Sequence, residues 1–95
     1  MKENKKTILK ELQTIPGVGK SIAEDLLNLG IRSIRDLKRK NPEKMYEKSC
    51  TLAGVKIDRC LLYVYRCAVY YASNTKYNPE LLKWWNWTDE KNLAR

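Results

Sequence analysis

Apolar residues recur at helical spacing along most of this chain, and Gly or Pro marks the main interruptions. Ile8, Leu9, Leu12 and Ile15 form the first series, predicting a helix over about 7–14 that Pro16-Gly17-Val18-Gly19 breaks sharply. Ile22, Ala23, Leu26, Leu27 and Leu29 restore the period from Lys20, and Gly30 followed by Ile31 reads as a left-handed C-cap with its hydrophobic contact. Ser33-Ile34-Arg35-Asp36 has the capping-box pattern and predicts a third short helix in the connecting segment Ser33 to Lys40. Asn41-Pro42 supplies the N-cap and first position of a fourth, through Met45, Tyr46 and Leu52. Gly54 is the next joint, and Asp58 is placed to cap the longest helix, over about 59–73. Asn78-Pro79 starts a last short helix with Leu81, Leu82, Trp84 and Trp85. Only Thr14-Ile15 and Ile31-Arg32 read as extended, so the pattern predicts one all-α domain over 1–95, with five or six helices and fraying at 1–6 and 89–95.

Charge narrows the partners. Nineteen Lys and Arg against eleven Asp and Glu give +8 at pH 7, which favours an anionic partner, nucleic acid first. The chain has no His, which removes imidazole bases, Ser-His and Cys-His pairs and most zinc-site patterns. Cys50, Cys60 and Cys67 form no C-x-x-C and cannot all pair within one chain, so reduced thiols in a cytoplasmic protein are expected. No apolar run approaches a membrane span, and the basic start MKENKKTILKE lacks the apolar core of a signal peptide.

The most informative segment is the turn at Pro16 to Gly19. Two Gly around one apolar residue leave main-chain N–H groups unshielded, and the next helix begins at once, so its free N–H groups and positive dipole end face the same place. A phosphate oxygen suits that place. Val18 is positioned to plug inward, Lys20 adds a cation and Ser21 a hydroxyl. Gly19-Lys20-Ser21 also matches the end of a P-loop, but Thr14 stands where that motif needs its first Gly and a helix precedes the turn instead of a strand. A turn that only joins two helices is the remaining alternative.

Hydrophobic-Pro-Gly-hydrophobic-Gly resembles the helix-hairpin-helix motif. The resemblance implies main-chain donors to DNA phosphates at Gly17, Gly19, Ser21 and Ile22, within a phosphate-binding stretch that also takes in Val18 and Lys20. It also implies a Na+ or K+ ion held by the carbonyls of Gln13, Ile15 and Val18. Leu52-Ala53-Gly54-Val55-Lys56-Ile57-Asp58 echoes the turn with Lys56 at the second Gly position. Two such units, one intact and one degraded, are expected to form a pseudo-symmetric pair in which the first binds and the second mainly packs. Lys56 still offers a point charge, and Arg32, Arg35 and Arg39, spaced by three and four, offer a second phosphate track or simply a solvated face.

The segment Asp58 to Ala72 is apolar on nearly every side, as for a helix central to a core or shared with a second copy in a homodimer. Cys60 and Cys67 lie two turns apart on it; a metal there needs further ligands, with Cys50 and Asp58 the only ones near in sequence, so buried thiols are expected. Trp84 and Trp85 are expected to seal the core, with Arg59 or Arg66 stacked on a Trp, while Trp87 stays open between packing and stacking on bases.

PGVGKSIAEDLLNLGI, DRCLLYVYRCAVYYA and NPELLKWWNWTDE, in that order, are together similar to the small bacterial pathogenicity-locus helix-hairpin-helix proteins, often labelled mitomycin-resistance-like. The likeness runs from about Leu12 to Glu90 and implies a tandem helix-hairpin-helix, SAM-like fold and a connection with DNA. The expected function is a DNA-binding module that grips the backbone without reading sequence; the alternative is a protein-interaction or dimerisation adaptor. An enzyme such as a glycosylase or lyase needs a base pocket and a catalytic Asp or Lys. Lys20 with Asp25 or Asp36 is a poor set for that, so no catalysis is expected.

Overall fold

Helix-terminating residues divide the chain almost where the pattern predicts. In a computed structural model, which describes residues 4–93, α1 spans Lys5–Leu12, α2 Lys20–Asn28, α3 Pro42–Ala53, α4 Cys60–Ser73 and α5 Asp89–Leu93. Three 3-10 turns, Ile34–Leu37, Pro79–Leu82 and Trp84–Trp87, join them, and the described residues contain no strand. The chain is thus an all-α globule.

The caps explain the boundaries. Asn4 accepts the Thr7 N–H at 2.9 Å, so α1 starts earlier than the apolar series and ends at Leu12, leaving Thr14 outside. Residues 5–6 and 89–93, expected to fray, are helical in the structure; residues 1–3 and 94–95 lie outside the described residues. Gly30 takes φ +88°, with Gly30 N–H on the Leu27 carbonyl at 2.9 Å and Ile31 N–H on that of Leu26 at 3.0 Å. That closes α2 in a Schellman motif, and Ile31 and Leu26 are both buried. Ser33 Oγ accepts the Asp36 N–H at 3.3 Å, while the Asp36 carboxylate reaches back to the Arg32 N–H at 3.0 Å.

The third helix is shorter than expected. Only Ile34–Leu37 coils, as a 3-10 turn, and Arg39 sits at φ +59° with its N–H on Ser73 Oγ at 3.0 Å. Arg32 and Arg39 therefore lie outside the turn that holds Arg35, and the three arginines do not line one helix face. The last helix also differs: two 3-10 turns replace it, because Lys83 adopts an extended conformation between them.

α4 runs through the middle of the molecule. Leu61, Leu62, Val64, Tyr65, Cys67, Ala68 and Ala72 are buried within the chain, which accounts for most of its apolar surface without a second copy. Tyr65 is fully buried and its hydroxyl pairs with Ser49 Oγ at 2.8 Å, so burial pushes its pKa to about 12. Arg66, buried, reaches the Trp87 carbonyl at 2.9 Å, Asp89 at 3.0 Å and Glu43 at 3.4 Å. Asp89 also takes a two-pronged contact from Arg59, both at 2.7 Å, and the Tyr63 hydroxyl at 3.1 Å. The Arg59 hydrogen bonds hold the Asp89 carboxyl well below its usual range. The arginines stack on tyrosine instead of tryptophan, Arg59 over Tyr46 at 5.8 Å and Arg66 over Tyr63 at 5.7 Å.

Candidate functional site

The first turn is assembled by one buried valine and one left-handed glycine. Val18 is 6% exposed and its N–H donates to the Ile15 carbonyl at 3.0 Å, so Val18 shapes the turn and has no free donor for a ligand. Gly17 takes φ +85°, a conformation that favours glycine, and a Cβ there would lie 3.2 Å from Trp84 Cδ1. Gly19 begins α2 in an extended conformation, with no side-chain cap and open space where a Cβ would sit. Consequently the N–H groups of Gly17, Gly19, Lys20, Ser21 and Ile22 meet no acceptor among the described residues. Gly17, Gly19, Lys20 and Ser21, which carry four of these donors, are exposed residues. Open main-chain donors at a helix N-terminus are, in general, where anions bind.

The second turn shares a left-handed glycine with the first but enters its helix differently, through Arg59 in a helical conformation where Gly19 is extended. Gly54 is left-handed at φ +73°, as Gly17 is. Beyond it Asp58 Oδ1 accepts the Cys60 N–H at 2.8 Å, the Ile57 N–H reaches Cys50 Sγ at 3.4 Å, and the Tyr46 hydroxyl donates to the Ile57 carbonyl. The Ile57 N–H and the Cys60 N–H that opens α4 are thus held from within, and the Cys60 N–H holds the Asp58 carboxyl below its usual range. Val55 is 63% exposed and Leu52 59%, so this turn does not pack as expected; Lys56 is exposed beside them.

A cleft of about 350 Å³ opens between the turns, lined by Gly17, Ile22, Asp25, Ile57, Leu61 and Trp84, with Asp58 and Cys60 also on its wall. The Asp25 carboxylate has no hydrogen bond or ion pair among the described residues, and burial raises its pKa, with Glu24 adding to the shift. Of the tryptophans, Trp84 is partly buried against the core, Trp85 is half exposed, and Trp87 donates to the Leu81 carbonyl at 2.8 Å. The thiols also divide: Cys67 is buried and pushed up to about 11, Cys50 is partly buried, and Cys60, expected buried, is exposed. No group of acidic residues and cysteines among the described residues could hold a metal ion.

Residues 5–92 match the family described as Pathogenicity locus, Cdd1. The chain belongs to this family. The mitomycin resistance protein McrB of Streptomyces lavendulae is 32% identical to this family member over 81 residues, 85% of this chain and 73% of the relative. No solved structure matches the chain. Among the described residues of this family member, no helix is long and apolar enough to cross a membrane.

Two features of this Pathogenicity locus chain escaped sequence reasoning. Glu11 accepts the Ile34 N–H at 2.8 Å, tying α1 to the connecting turn across a long sequence separation that no local pattern reports. Lys40, Lys44 and Lys48 share a groove of about 250 Å³ with Leu29, Ile31 and Met45, at the end of α2 away from the glycine turn. The four-residue spacing of Lys44 and Lys48 on α3 was the available signal for that cluster.

Proposed function

We propose that the α1–α2 unit is a helix-hairpin-helix that holds the DNA phosphate backbone without reading sequence, within a tandem, SAM-like pair whose second unit has lost that capacity. The observation that carries this reading is the row of unsatisfied N–H groups at Gly17, Gly19, Lys20, Ser21 and Ile22. Main-chain donors fix the position of a duplex and carry no sequence information. The net charge of +8 supplies the long-range attraction. Arg32, Arg35, Arg39 and Lys56 are exposed and add charge as separate points. A monovalent cation on the carbonyls of Gln13, Ile15 and Val18 belongs to the same reading; replacing K+ and Na+ by a bulky organic cation at equal ionic strength should then weaken binding. The module binds and does not catalyse, so damaged duplex should emerge uncut and with its bases in place.

The deciding experiment is fluorescence anisotropy of a labelled duplex at two salt concentrations, with Gly19→Asp as the variant. Gly17→Glu is the poorer choice, since Gly17 is left-handed and faces Trp84. Gly19 tolerates a side chain, and an aspartate there caps α2 while occupying the donors. Salt-sensitive binding that the folded variant loses supports the reading; equal binding by both proteins reduces it to bulk charge.

A second reading, a protein-interaction or dimerisation adaptor, is favoured by Leu52 and Val55, apolar and more than half exposed on the second turn. Sedimentation of wild type against Val55→Asp tests it; a shift from dimer to monomer would support it.

A further inference from the structure

We propose that the cleft between the two turns receives one unpaired nucleobase, guanine in preference, from a nucleic acid whose phosphate is held at the first turn. This rests on the phosphate reading above. Ile22 links the two places: its N–H is one of the open donors of α2, and the residue lines the cleft. A nucleotide held by its phosphate at that first turn therefore has its base within reach of the cleft.

The walls suit a flat ring. Ile22, Ile57, Leu61 and Trp84 are apolar, and a space of about 350 Å³ lies in the range of small-molecule sites. The polar groups set the polarity of the ligand. Asp25 and Asp58 are both acidic, so the cleft repels phosphate and leaves the backbone at the main-chain donors. Asp58 is engaged with the Cys60 N–H at 2.8 Å, whereas the Asp25 carboxylate accepts nothing among the described residues. An ionised carboxylate only accepts, and it takes two parallel N–H groups best. Guanine presents a ring N–H and an amino group side by side on its pairing edge; adenine and thymine each place an acceptor beside a donor there. In a paired guanine that edge is occupied, so the base must be unpaired, as in a bulge or a single strand.

Anisotropy on a fully paired duplex and on duplexes carrying one bulged guanine, adenine or thymine tests this, with wild type, Asp25→Asn and Gly19→Asp. Asp25 has no partner to lose, so its variant should fold, which circular dichroism confirms. The bulged guanine should bind about tenfold tighter than the paired duplex, and bulged adenine or thymine within about threefold of it. Asp25→Asn should erase the guanine advantage and keep paired-duplex binding. Equal wild-type affinity for the bulged guanine and the paired duplex overturns the proposal, as does an advantage that survives Asp25→Asn. In those cases loss of paired-duplex binding by Gly19→Asp still upholds the phosphate reading. If no duplex binds, the phosphate reading falls, and guanosine monophosphate titrated against tryptophan fluorescence decides the cleft. Saturable quenching absent from Asp25→Asn retains the cleft; no quenching ends it.

Discussion

The two turns echo each other in sequence and differ in how the next helix begins, extended at Gly19 and already helical at Arg59. Each has a left-handed glycine, Gly17 and Gly54, followed by a valine. In the first the valine is buried and the donors of the next helix are open; in the second the valine is exposed, and Asp58 and Cys50 hold the Cys60 and Ile57 N–H groups. A carboxylate at a helix N-terminus is the intramolecular counterpart of a bound phosphate. Asp58 thus holds the first N–H of α4 from within, where nothing among the described residues holds those of α2.

The largest test of that contrast is Gly19→Asp, which gives the first turn the chemistry of the second. Loss of charge-assisted bonds, each worth about 1.5–3 kcal/mol, should weaken duplex binding about a hundredfold or more, while urea unfolding shows equal or slightly higher stability. Next, Val18→Ala should cost about 2 kcal/mol in the same unfolding measurement, from two lost methyl groups and the space they leave. Val55→Ala should change stability by less than about 0.5 kcal/mol, and a cost equal to that of Val18→Ala would break the comparison. A smaller effect is expected from Asp58→Asn, which keeps an acceptor for Cys60 and removes the negative charge; duplex affinity should rise about two- to threefold.

The smallest effect is a titration. Because the folded pKa of Asp58 is depressed, the stability it confers on α4 is fully present above the unfolded value of about 3.9 and is lost as pH falls through the folded value. The Cys60 amide resonance should follow that transition below about pH 4, whereas Ser21 and Ile22, with no acidic cap, should not.

Much of the helical framework was legible because its signals are local. Asn41-Pro42, Ser33 with Asp36, and Gly30-Ile31 act within a few residues, and each does what its pattern implies. The failures lie where distant groups intervene. Arg39 is turned left-handed with its N–H on Ser73, which ends the connecting helix before the arginines align. The Pro16–Gly19 turn was also legible, but the exposed Val55 was not, since burial depends on what a neighbouring element covers. The cleft was invisible in sequence, being assembled from α2, the second turn, α4 and Trp84.

Trp84 against Gly17 joins an early segment of the chain to a late one, and the late segment is fastened to α4 through Trp87 and Asp89. On the ribosome, α1 and α2 emerge long before that tryptophan does. A nascent chain therefore carries a turn with one side uncovered until the final segment is released and docks. Premature termination before Trp84 should leave a short product with the glycine turn but without its finished wall.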